Sequence, residues 1–198
     1  MFDSAFRSIG RKARDGYFNP EFHEICGTTV AYKNSSDKQT WDEWSDILHK
    51  WLPRFEEAGW LDDLNRIEIG NRLINDDRVG EYRHEEHIVG MQDNPEMYDT
   101  NYLVGHTKEY AFIHEMIHHE HITNMFNTRR VDEVHIAKKQ NEVGWSGHMH
   151  HFHIYVSEYA ATNFLEAVAE TGSGLMLGEE YPDQIVEAYE QFGGPEPL

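Results

Sequence analysis

The chain reads as an α+β fold, and two observations carry that reading. Apolar residues recur every three or four positions in separated stretches, the signature of amphipathic helices, while between the first two stretches short runs alternate as strands do. No internal repeat or low-complexity tract interrupts the pattern. The first helical stretch is Thr40 to Trp60, where Trp41, Trp44, Ile47, Leu48, Trp51, Leu52 and Phe55 share a face and Gly59 stands near the end. Its tryptophans are core or inter-subunit packing groups by this reading. Arg66 to Ile74 alternates in part and reads as a strand; Glu81 to Met91 reads as another, with turns at Asp76-Asp77 and Gly80. His84 and His87 are then exposed strand histidines, with a place in a cleft as the alternative.

Asp93 to Asp99 reads as a loop leading into a second helix, whose apolar stripe is Tyr102, Leu103, Tyr110, Ile113 and Ile117. A long connection, Asn124 to His153, follows. The run Thr162 to Glu170 is again helix-like. Glycines 172, 174 and 178 are expected to loosen the chain, and Pro182 to Gly193 to form a last helix that Gly193-Gly194-Pro195 stops. With 198 residues there is material for one ordinary core. The expected organisation is an N-terminal arm and amphipathic helix over 1–60, packed on a main domain over 61–198.

Charge narrows the partners. Acidic residues outnumber basic ones 36 to 17, a formal net charge of −19. Self-repulsion of that size opposes compaction at low salt yet preserves solubility where salt is concentrated, so a halophilic origin is expected, such as a virus of a salt-loving archaeon. Nucleic-acid binding is disfavoured, since neutralising phosphate takes a basic surface. The local exception, Arg7, Arg11, Lys12 and Arg14, reads as a solvated terminus or an arm for an acidic partner. The single cysteine, Cys26, rules out an internal disulfide framework and is expected to be a small buried side chain. No apolar run approaches the length of a membrane span, and the first thirty residues lack a signal-peptide core. The expected place is the cytoplasm of a halophilic host, with no membrane partner.

The residues that carry chemistry are His114-Glu115-Met116-Ile117-His118, an H-E-x-x-H pentad. In a helix, His114 and His118 stack on one face and can reach one zinc ion, while Glu115 beside them can take a proton from water on the metal. With 14 His and 23 Glu in the chain, chance alone would supply such a pentad about 0.1 times, so it needs context. Partly buried histidines with ordinary hydrogen bonds would fit the pentad equally well.

Zinc held by two histidines needs a third protein ligand. His121 lies seven residues from His114, about 10 Å along a helix axis, too far for a straight helix to wrap around one ion. The longer signature with a glycine and third histidine also fails, because 121 is His and 124 is Asn. Glu166 is a better donor, and Glu170, one turn on, is suited to accept the free N–H of a ligating histidine. Asn163-x-x-Glu166 fits a helix capping box just as well, leaving Glu166 open between ligand and cap. Glu115-x-x-His118 also fits one ligand pair of a di-iron carboxylate bundle, a weaker reading.

The segment Tyr159-Ala160-Ala161-Thr162-Asn163-Phe164-Leu165-Glu166-Ala167-Val168-Ala169-Glu170 resembles the Y-A-x-T-N-x-x-E-x-x-A-E segment of certain gluzincin metallopeptidases, among them anthrax-lethal-factor-like and minimal phage-encoded proteases. The similarity covers roughly residues 66 to 194. It includes a tail, Gly178 to Pro182 and Tyr189 to Pro195, similar to phage-head-associated peptidase-like proteins. The resemblance implies a minimal zincin-like domain with a small sheet, an active-site helix and a glutamate helix. It implies zinc held by His114, His118 and Glu166, Glu115 as general base, Tyr159 as oxyanion donor and Glu170 behind the ligands. Tyr82 to Met91 would be the edge strand that pairs with extended peptide or protein substrate. Phe164 stands where such families commonly have proline, and 47 residues separate His118 from Glu166.

Within that interval His148-Met149-His150-His151-Phe152-His153 would divide its histidines between two faces if extended, and an incidental or structural role is expected for it. Two functions follow as expectations. One is a zinc-dependent peptidase. The other is a virion or head-associated structural protein that keeps a peptidase-like fold, associates with other virion proteins and carries a structural or vestigial zinc site.

Overall fold

The computed structural model describes residues 20–33, 38–70, 78–93, 105, 107–126 and 131–198. Among them is a five-stranded sheet with six α-helices, a mixed α+β architecture. The strands are β1 (Glu21–Ile25), β2 (Thr28–Tyr32), β3 (Arg66–Ile69), β4 (Gly80–Arg83) and β5 (Ile88–Met91), in spatial order β1-β2-β3-β5-β4. β1 and β4 run antiparallel to their neighbours, whereas β2, β3 and β5 are parallel to one another. Parallel strands need a crossover, and α1 (Lys38–Glu57) supplies the one between β2 and β3.

α1 buries the face its spacing foretold: Trp44, Leu48, Trp51, Leu52 and Phe55 are all buried, and Phe55 stacks on Trp60 just past the helix. Because β1 and β2 join β3 in one sheet and α1 lies in the same core, residues on both sides of position 60 share a single hydrophobic cluster. The β1–β2 hairpin has no counterpart in the sequence reading. Its tight turn is Cys26-Gly27, with φ +50° and +70°. Cys26 is thus half-buried in a turn, not the buried core residue expected.

Glu81 to Met91 is a hairpin of two strands rather than one strand. Its turn contains His84 and His87, both half-buried, with His87 at φ +51°. Of these two strands only β4 lies at a sheet edge, while β5 is paired on both sides, so the edge expected over Tyr82 to Met91 shrinks to Gly80–Arg83. Arg83 anchors that edge through ion pairs to Glu68 of β3, Glu81 and Glu86. Asp76 and Asp77 of the expected turn, nearly all of the 93–99 loop and Tyr102 and Leu103 of the stripe lie outside the described residues, as does the basic N-terminal cluster.

Over the sheet lies α2 (Lys108–Met125), capped by the Thr107 hydroxyl, which accepts from Tyr110 N at 3.0 Å. Residues Tyr110 to His119 and His121 are buried, so this helix is enclosed nearly all round. The connection after it folds as α3 (Glu133–Glu142), a 3₁₀ turn at Trp145–Gly147 and α4 (Met149–Tyr155). The histidine-rich segment is therefore helical at Met149–Tyr155, and Phe152 is its buried residue. α5 (Phe164–Met176) and α6 (Asp183–Gln191) complete the fold. Gly172 and Gly174 do not loosen the chain: they sit inside α5, where a Cβ would come within 2.8 Å of Ile117 and 2.0 Å of the Tyr181 hydroxyl. Close approach of α2, α6 and the segment before α6 to α5 explains glycine there better than helix propensity does. No described helix is long and apolar enough to cross a membrane.

Candidate metal centre

α2 and α5 pack side by side, and the packing brings three residues remote in sequence onto one point. Helical spacing stacks His114 and His118, with ring centroids 4.7 Å apart. Opposite them, the Asn163 side chain caps α5 by accepting from Leu165 N at 2.9 Å and Glu166 N at 3.1 Å. Glu166 turns its own carboxylate toward the histidines: Oε2 is 3.2 Å from His114 Nε2 and 3.1 Å from His118 Nε2. The Glu166 side chain thus faces α2, while the N-terminal N–H groups of α5 are taken by Asn163. Among the described residues this is the one group of three or more His, Cys, Asp or Glu side chains close enough to hold a metal ion.

Donor spacing tests the fit to zinc. Tetrahedral ligands about 2.05 Å from an ion lie about 3.3 Å from one another. The two Nε2–Oε2 distances, 3.2 and 3.1 Å, are close to that edge. Electrostatics point the same way. Burial by itself would lower the His114 pKa, but Glu166 and Glu170 outweigh it and hold the imidazole well above its usual range. Burial likewise pushes Glu166 up, and His118 and His114 reverse this, keeping the carboxyl well below the ordinary carboxylate range. A proton held between these groups would compete with any metal cation for the same atoms.

Glu170 is fully buried behind the histidines, its Oε1 at ion-pair distance, 3.0 Å, from His114 Nδ1 though off the line of a well-formed hydrogen bond. Its other oxygen accepts from the Ser157 hydroxyl at 3.0 Å, and the Tyr110 hydroxyl donates to its backbone carbonyl at 2.9 Å. Tyr159 stands on the turn before α5 with its ring 6.1 Å from His114. Burial and the nearby Glu166, Glu115 and Glu170 keep its phenol protonated far above the ordinary range, so it is a hydrogen-bond donor here.

Glu115 is outside the ligand group and faces β4. A Cβ at Gly80 would lie 2.7 Å from Glu115 Cγ and 2.8 Å from its Oε1, so a bare glycine gives the carboxylate its room. Burial raises the Glu115 pKa, His114 and His118 oppose the rise, and Glu166 and Glu81 add to it. Gly80, expected at a turn, opens β4 instead, and Ser157 did not stand out in the sequence because a serine after a helix carries no distinctive spacing. Glu81 and His84 also make an E-x-x-H, but they lie on β4 and its turn and not on a helix, as the ligand pairs of a di-iron bundle do.

The other two histidines of α2 point elsewhere. His119 donates from Nε2 to the Trp60 carbonyl at 2.9 Å, His121 from Nε2 to that of Phe192 at 2.9 Å, and both Nδ1 atoms are buried without a partner. A proton added at Nδ1 would find no acceptor, and burial lowers both pKa values from 6.5 to about 4. The unfolded chain then binds more protons between those values. Stability from each histidine is complete above pH 6.5, is lost as pH falls to 4, and changes no further below. His121→Gln keeps a donor for Phe192 but cannot titrate. Between pH 6.5 and 4 the unaltered metal-free chain is expected to lose up to about 3 kcal/mol more than this variant, read from urea midpoints. Parallel losses would show that His121 does not titrate as its burial requires.

Compared with protein-family models, curated proteins and solved structures, the chain has no match.

Proposed function

We propose that this protein is a zinc-dependent peptidase of gluzincin type with a zincin-like catalytic domain. The observation that carries the proposal is the convergence of His114, His118 and Glu166, their donor atoms within 4.8 Å of one another and Glu166 Oε2 at 3.2 and 3.1 Å from the two Nε2 atoms, with the buried Glu115 next to the first histidine. A zinc ion there would supply Lewis acidity, making water a competent nucleophile near neutral pH. Two imidazoles and a carboxylate also suit ferrous iron in oxygenases. A carboxylate adjacent to the triad but outside it favours hydrolysis, because an amide needs a proton removed from the attacking water and delivered to the leaving nitrogen. Glu115 does both in turn. Its raised pKa suits the exchange, since a base that must return its proton works best when its pKa approaches ambient pH. Tyr159 donates its phenolic proton to the oxygen on which charge develops. Glu170 holds the His114 ring with its Nε2 toward the other donors.

The acidic balance supports a halophilic setting for this reading, in the cytoplasm of a host or carried with a virus, with peptide or protein as substrate. The test is metal analysis of protein purified in molar salt, with an assay of cleavage on unfolded polypeptide. The expected result is about one zinc per chain and cleavage that a chelator stops. Zinc without cleavage, in a chain that copurifies with virus particles, would shift the reading to a virion protein with a structural metal. Iron would overturn both, and no metal would overturn the peptidase and leave the virion protein with a vestigial site.

A further inference from the structure

We infer that Ser157 is a positioning residue for the metal centre, acting through Glu170 on His114 and through its own turn on Tyr159. The inference rests on the zinc site proposed above. Ser157 lies just beyond α4, with its backbone N–H donating to Phe152 O at 3.1 Å. Its hydroxyl oxygen accepts from Ala160 N at 2.8 Å and its hydroxyl proton goes to Glu170 Oε2 at 3.0 Å.

These two contacts fix a direction. A serine hydroxyl has one proton, and a carboxylate offers only acceptors. With Ala160 N–H donating to the oxygen, the proton is committed to Glu170. Glu170 Oε2 thereby takes the Ser157 proton, and Oε1 sits at ion-pair distance, 3.0 Å, from His114 Nδ1. An Nδ1–H held on that side leaves the Nε2 lone pair facing Glu166 and a metal.

The Ala160 contact closes the turn that contains Tyr159. Thr162 tightens the same turn, its backbone N–H and hydroxyl donating to Tyr159 O at 3.0 and 2.8 Å. One hydroxyl therefore joins the loop bearing the phenol to the buried carboxylate behind the first metal ligand.

The test uses zinc itself as probe. Chelator competition on the full chain in molar salt gives the zinc affinity of the unaltered protein, Ser157→Ala, Ser157→Thr, Glu170→Gln and the double variant Ser157→Ala/Glu170→Gln. Ser157→Ala is expected to weaken zinc on the order of tenfold, and Ser157→Thr, which keeps the hydroxyl, to stay within about twofold. In the Glu170→Gln background the alanine substitution should cost little, since the link it breaks is already altered. The visible bands of the cobalt-loaded protein should shift in Ser157→Ala and be restored in Ser157→Thr. Unchanged affinity and spectrum in Ser157→Ala, or an equal loss with and without Glu170, would overturn the inference while leaving the zinc site standing. Failure of the unaltered chain to bind zinc would overturn the proposed function as well.

Discussion

Glu166→Ala will bind zinc on the order of 10³-fold more weakly than the unaltered chain, because one of three protein ligands is gone and the remaining two imidazoles hold the ion alone. Thermal unfolding reads the difference. A ligand at a thousand times its dissociation constant stabilises by about 4 kcal/mol, about 10 °C for a chain of this size. Zinc should therefore raise the midpoint of the unaltered protein by roughly that much and leave the variant's almost unmoved. The capping alternative makes a different forecast: a lost cap costs about 1 kcal/mol whether or not metal is present. The geometry favours the ligand role, since the Asn163 side chain already receives the Leu165 and Glu166 N–H groups and the Glu166 carboxylate lies against the histidines. A midpoint lowered equally with and without zinc would return Glu166 to the role of a cap.

That ambiguity shows where the sequence is legible. A period of 3.6 is a local property, so His114 and His118 could be placed on one helix face from spacing alone, as could the buried face of α1. Glu166 reaches them only because α5 lies against α2, and Gly172 permits part of that contact by leaving room for Ile117 and Tyr189. Read locally, Gly172 and Gly174 mark a break in the helix. Read in the fold, they are places where another side chain sits too close for a Cβ, and tertiary packing overrides propensity.

The β1–β2 hairpin escaped for a related reason. Cys26-Gly27 is not among the dipeptides that announce a two-residue turn, and outward-facing Phe22 breaks the expected polar alternation on β1. The histidine-rich segment has no apolar period because Phe152 is its only buried residue within α4, so its helicity is set by the core it touches. Trp145 and Phe192 both meet Phe152 there, 5.5 and 5.8 Å away by ring centroids. What spacing cannot encode is the third dimension, and both Ser157 and Gly80 belong to it.

Glu115→Gln should retain zinc and lose turnover by 10²- to 10⁴-fold, about the range that a positioned acid–base group supplies. The substitution is nearly isosteric, so the amide still fits beneath the bare backbone of Gly80, and neither the His114–Glu166 nor the His118–Glu166 contact involves the altered atoms. Affinity for zinc should therefore stay within a few-fold, while the capacity to accept a proton disappears. Burial cuts in a favourable direction here: removing a carboxyl that burial and the charges of Glu166 and Glu81 disfavour relieves repulsion in the site, so the metal-free variant should be at least as stable as the unaltered chain. Zinc content, thermal midpoint and cleavage rate then move independently, the first two held and the last nearly abolished. Undiminished cleavage would remove Glu115 from the chemistry. Loss of zinc together with activity would instead assign it to holding the ion, which its place against β4, outside the three converging donors, argues against.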